Sequence, residues 1–138
     1  MKQEDKQLLV KNLCAMLPYG VKATTTSNGW NGIYTITGYA NDRIYLDCPV
    51  YDKGDDEWLV EFVKPYLRPM SSMTEEEKEE CNESLRKDVD VIIDAMKRGE
   101  NSGAGFYKMD FLYSHHFDYC GLIPMGLALE APEGMYKF

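Results

Sequence analysis

Ile33–Cys48 reads IYTITGYANDRIYLDC, two alternating runs on either side of Asn41-Asp42. In the second run Ile44, Leu46 and Cys48 share one face, the period of two that a half-buried strand requires. Asn and Asp tolerate positive φ better than other non-glycine residues, which suits a two-residue hairpin turn. The stretch therefore predicts a β-hairpin with strands Ile33–Tyr39 and Arg43–Cys48.

Working outward, Val21, Ala23 and Thr25 alternate with Lys22, Thr24 and Thr26 as a preceding strand. Ser27–Gly32, SNGWNG, links it to the hairpin through two Asn-Gly turn signals around Trp30. On the other side, the polar loop Asp52–Glu57 leads to a fourth strand, Trp58–Val63. Short connections predict sequential antiparallel pairing. The expected unit is a four- to five-stranded β-meander within residues 21–70, with strands short enough to close into an SH3-like barrel. Lys64–Pro69 carries two prolines and is expected to be extended or turn-like.

The flanks switch to helical period. Residues 3–17 carry Leu9, Leu13 and Met16 on one face, and Pro18-Tyr19-Gly20 ends the run. Thr74 followed by Glu77 is a capping box, and Glu75 and Glu76 complement the positive end of the helix dipole. That helix is expected to run to about Arg98, with Gly99 beyond. Its positions Cys81, Leu85, Val89, Ile92, Ile93 and Met96 should keep one buried face. A third helix is expected around Phe106–His116. The class is thus α+β in one domain: a helix in residues 1–20, the meander in 21–70 and a helical part in 71–138.

A net charge of −8 over 138 residues argues against direct nucleic-acid binding, which needs clustered Lys and Arg. The charged start is not a signal peptide, and no apolar run approaches membrane-spanning length. The four cysteines, Cys14, Cys48, Cys81 and Cys120, form no CxxC pair, so a cytoplasmic, reduced protein is expected. Gly103-Ala104-Gly105 lacks the spacing of a phosphate loop, and no cofactor or metal motif occurs.

Met109–Leu129, MDFLYSHHFDYCGLIPMGLAL, concentrates the chemically capable side chains. His115, His116 and Asp118 are the candidates for acid–base work or metal ligation. Adjacent histidines on a helix diverge by about 100°, and the i,i+4 ligand pair of a zinc helix is missing. His116 is instead expected to pack on the stripe of Phe106, Met109 and Leu112, with His115 more exposed.

Two phrases, KPYLRPMSSMTEEE at Lys64–Glu77 and HHFDYCGLIPMGLALEAP at His115–Pro132, resemble a family of small uncharacterised proteins from gut anaerobic bacteria and their phages and mobile elements. The similarity extends to LCAMLPYGVK near the start. Cys120 and Pro124 depart from the more polar residues expected of relatives, which weakens a metal role for Cys120. The resemblance implies no active site. It implies a context, an accessory protein of a mobile element with host or defence proteins as targets.

The functional expectation is a non-enzymatic module that binds a protein with a basic surface. Its contacts would be aromatics of the β-unit (Trp30, Tyr34, Tyr45, Trp58) and the acidic helix start (Glu75, Glu76, Glu77, Glu79, Glu80). The alternatives are a small metal-dependent or acid–base enzyme using His115, His116 and Asp118, a small-ligand-binding protein, and a self-associating structural component.

Overall fold

The computed structural model describes residues 2–26, 32–47, 56–99 and 106–136. Trp30 and Cys48 lie outside the described residues. Helix α1 (Gln3–Met16) ends in one 3-10 turn, Leu17–Tyr19, and Gly20 reverses the chain at φ +68°. Strands β1 (Lys22–Thr25), β2 (Tyr34–Ala40), β3 (Arg43–Asp47) and β4 (Asp56–Leu59) pair antiparallel in sequence, as the meander requires. Asn41 and Asp42 both take positive φ in the β2–β3 turn, at 51° and 63°. The register shifts between Ile36 and Gly38, a bulge that changes which parity faces inward. Tyr34 and Ile36 are buried on one side of it; on the other, Tyr39 packs on the same core and Gly38 lies against the Tyr45 ring.

The proline-containing segment is a full strand, β5 (Val63–Leu67), inserted beside β1. Thr26 N–H donates to the Phe62 carbonyl, so the narrow and wide pairs alternate from there. Ala23 opposite Pro65 is then a non-hydrogen-bonded pair, and the missing proline N–H costs the β1 ladder nothing. A short strand β6 (Leu129–Glu130) adds in parallel to β5, giving the order β4-β3-β2-β1-β5-β6.

The sheet does not close into a barrel. In a flat sheet β4 and β5 would be about 19 Å apart at four strand spacings. The chain from Leu59 to Val63 reaches at most about 15 Å, so the sheet must curl. A 3-10 turn, Val60–Phe62, occupies the junction, and Val60 N–H donates to Asp42 O. The outer edge of β5 is taken by β6 rather than by β4, which leaves the curl open.

The main core joins Leu9, Leu13 and Met16 of α1 to Ala23, Ile36, Ile44, Leu46 and Val63 of the sheet, with Leu122, Leu127 and Ala128 from the C-terminal segment. Helix α2 (Glu75–Lys97) begins with the expected capping box at Thr74 and Glu77, and Gly99 follows it at φ +70°. Helix α3 (Phe106–Ser114) packs on α2 and supplies Phe111 and Leu112, with Phe117, to a second, smaller core.

The buried face of α2 differs from the expected one. Only Asp88 and Ala95 are buried, while Leu85, Val89, Ile93 and Met96 are 44, 45, 47 and 72% exposed. Helix α3 approaches through the Cys81/Asp88/Ala95 side because Asp88 accepts from the Tyr107 and Lys108 amides at 2.8 and 3.0 Å. These are first-turn amides of α3, with no partner inside that helix. A carboxylate on a neighbouring helix therefore caps α3 and fixes which side of α2 it meets.

Candidate functional site

His116 does not lie on the α3 stripe. The helix ends at Ser114, and Phe117 N–H bonds to Leu112 O while His116 N–H bonds to Tyr113 O. This pair of bonds is the Schellman ending, which needs a left-handed residue at the position His116 occupies, at φ +61°. Glycine is the usual choice there. The imidazole compensates through contacts: Nε2 is 2.8 Å from the Tyr19 carbonyl, and the ring stacks on Tyr136 with centroids 3.8 Å apart. Burial holds its pKa below the ordinary imidazole value. The ring is thus held between the turn after α1 and the C-terminal segment.

Asp118 is buried, and its two carboxylate oxygens accept from the Leu122 and Ile123 amides at 2.7 and 2.9 Å. Its own N–H donates to Arg68 O. The carboxylate thus organises the turn that delivers Leu122 to the core. His115 is partly exposed; Nδ1 lies 2.9 Å from Phe111 O, and its ring packs on Phe111 with centroids 4.2 Å apart. His116 and Asp118 therefore serve different neighbours and do not form a shared centre with His115. Among the described residues no group of three His, Cys, Asp or Glu side chains converges as a metal site.

The aromatic candidates do not form one surface. Tyr34 is 9% exposed and belongs to the main core. Trp58 pairs with the fully buried Ile44 and packs on that core. Tyr45 pairs with Glu57, one position along the ladder, and so faces the other side of the sheet.

The acidic residues divide as well. Glu76, Glu77 and Glu80 line one open groove together with Glu130 and Glu133 of the C-terminal segment, of about 690 Å³. Glu75 pairs with Lys78, and Glu79 lines a second depression with Glu80, Glu83 and Arg86. Arg68, His115 and Tyr136 also line the groove, with His115 Nε2 3.8 Å from Glu80. Arg68 grips Glu77 through two bonds of 2.7 Å and lies 4.3 Å over the Phe117 ring. That guanidinium holds the Glu77 carboxyl down at about 2. Arg68 is therefore matched by Glu77, and Glu76, Glu80, Glu130 and Glu133 give the groove its negative surplus.

Sequence periodicity did not point to Arg68, Asp88 or the contribution of Glu130 and Glu133. A charged residue on the apolar side of a helix was the available signal for Asp88. For the groove no local signal existed, since α2 and the C-terminal segment meet only through the fold. Tyr136 anchors that segment: its hydroxyl donates to Tyr66 O at 2.6 Å and accepts from Lys22 N–H at 2.9 Å. No helix among the described residues is long and apolar enough to cross a membrane. No family model, curated protein or solved structure matches the chain.

Proposed function

We propose that the chain is a non-enzymatic protein-binding module that takes a basic segment of its partner into the acidic groove between the start of α2 and the C-terminal segment. One observation carries this reading: five glutamates and one arginine line the groove, and that arginine is already matched by Glu77. A lysine- or arginine-bearing segment supplies the missing charge, and Glu76, Glu80, Glu130 and Glu133 steer its approach. The groove is partly open, which gives an extended side-chain-rich segment room to lie in it. Cytoplasmic action belongs to this reading, in keeping with four widely spaced cysteines that form no CxxC pair. The resemblance to small proteins of phages and mobile elements adds the role of an accessory factor that inhibits a host or defence protein.

The test is affinity capture from lysates of gut anaerobic bacteria with the wild-type chain and a Glu76→Lys/Glu80→Lys variant. A protein retained by the wild type, released by salt and lost with the variant supports the reading. Equal retention by both chains, or retention indifferent to salt, overturns it.

A further inference from the structure

The uncovered side of α2 carries a self-complementary pattern. Leu85, Val89 and Met96 fall within about 40° of one another on the helix surface, with Ile93 beside them. All four are 44–72% exposed. The groove glutamates Glu76 and Glu80 lie on the opposite side of the helix from these apolar residues, and Glu80 borders the charged edge beside them. Along its outer edge run Glu79, Arg86, Asp90 and Lys97, all exposed, with signs that alternate −, +, −, +, and Arg86 also pairs at 2.9 Å with the exposed Glu83 of its own helix. Their spacing is symmetric about position 88: Glu79 and Lys97 are equidistant from it, as are Arg86 and Asp90.

We infer that this shoulder is the interface for a second copy of the chain, with the two α2 helices antiparallel. Reversal about position 88 sets Arg86 of one copy beside Asp90 of the other and Glu79 beside Lys97, each pair occurring twice. The same alignment seats Leu85 between Val89 and Ile93 of the second copy. Opposed macrodipoles favour this direction. A parallel pairing would place each charge level with its own like, and the alternation would then serve no purpose. The contact is isologous, so it closes at two copies and leaves both acidic grooves open.

The experiment is sedimentation velocity on the full chain over a concentration series, with circular dichroism to verify the fold of each variant. The wild type should show a concentration-dependent dimer. Val89→Glu places a charge at the centre of the shoulder and should give single-chain mass throughout. Arg86→Glu should raise the dissociation constant by on the order of tenfold. Arg86→Glu/Asp90→Arg should recover the dimer, because exchanging the two signs restores opposite charges across an antiparallel contact. Single-chain mass for the wild type at all concentrations overturns the inference and leaves the shoulder to another protein. A dimer indifferent to Val89→Glu, or a charge exchange that fails to recover it, overturns it equally.

Discussion

α1 presents Leu9, Leu13 and Met16 to the sheet, and none of the three is more than 1% exposed. α2 leaves Leu85, Val89, Ile93 and Met96 at least 44% exposed. The difference is one of what each helix meets. α1 lies on a curled sheet that offers a broad apolar face. α2 has 23 residues and packs mainly on α3, which has nine. At 1.5 Å per residue the two helices span about 34 and 13 Å, so α3 covers only part of the length and one side. An apolar stripe is a demand for a neighbour, and the rest of the chain decides whether that demand is met internally.

The largest effects should separate the two helices most sharply. Leu13→Ala is expected to lower stability by about 2–5 kcal/mol in chemical denaturation, because it empties a closed core. Leu85→Ala, measured where the chain is monomeric, should cost less than about 0.5 kcal/mol. A comparable loss at both positions would show that the α2 stripe is covered within one chain.

Next comes the polar link through which α2 does support the fold. Asp88→Ala strips two first-turn amides of α3 of their acceptor and should cost about 1–2 kcal/mol. Hydrogen exchange at Tyr107 and Lys108 should accelerate beyond the global change. Unchanged exchange there would mean that the amides find another partner and that Asp88 does not set the α2–α3 contact.

Thr74→Ala should cost about 1 kcal/mol, since the hydroxyl accepts from Glu77 N–H at 3.1 Å while Glu77 returns a bond to Thr74 N–H. Equilibrium denaturation reads this directly. A change below about 0.3 kcal/mol would show that the Arg68–Glu77 pair fixes the helix start without the cap.

The smallest effect is a pH slope. Burial lowers the folded pKa of His116 from its ordinary 6.5, so below that value the unfolded chain binds more protons than the folded one. Its contribution is present above 6.5 and lost as pH falls through the lowered value. Glu77 acts in a more acidic window: its contribution is present above 4.5 and lost as pH falls through about 2. Melting temperature against pH for the wild type and His116→Gln should therefore differ in slope between neutral pH and the carboxylate range. Parallel curves would place the His116 ring in water.

Much of the fold was legible because local chemistry specified it. The β2–β3 hairpin, the capping box and the α1 stripe each follow from residues close in sequence. The bulge between Ile36 and Gly38 was not foreseen, since strict alternation continues the strand unbroken through Gly38. Pro65 hid β5, since its consequence depends on which side of the strand bonds to β1. The expected burial of Leu85 and Val89 failed because Asp88, a capping residue for another helix, outcompeted the stripe in setting the contact. Of the candidate site, the acidic start of α2 was readable. Its union with Glu130 and Glu133 depends on a segment held by Tyr136, and no periodicity encodes that.

The placement of β5 between β1 and β6 has a kinetic consequence. Tyr136 is 114 positions from Lys22, and its hydroxyl ties Lys22 of β1 to Tyr66 of β5, the strand whose outer edge β6 covers. Such distant pairing is slow to form, because the chain must lose most of its freedom before the contact is gained. During synthesis, β1 through β5 emerge long before residues 129–136, and the outer edge of β5 waits with unpaired backbone groups. A strand in that state is a template for another nascent chain. The short β6 and its tyrosine thus act as a late-closing guard, and removing them should reduce soluble yield more than they contribute to stability once folding is complete.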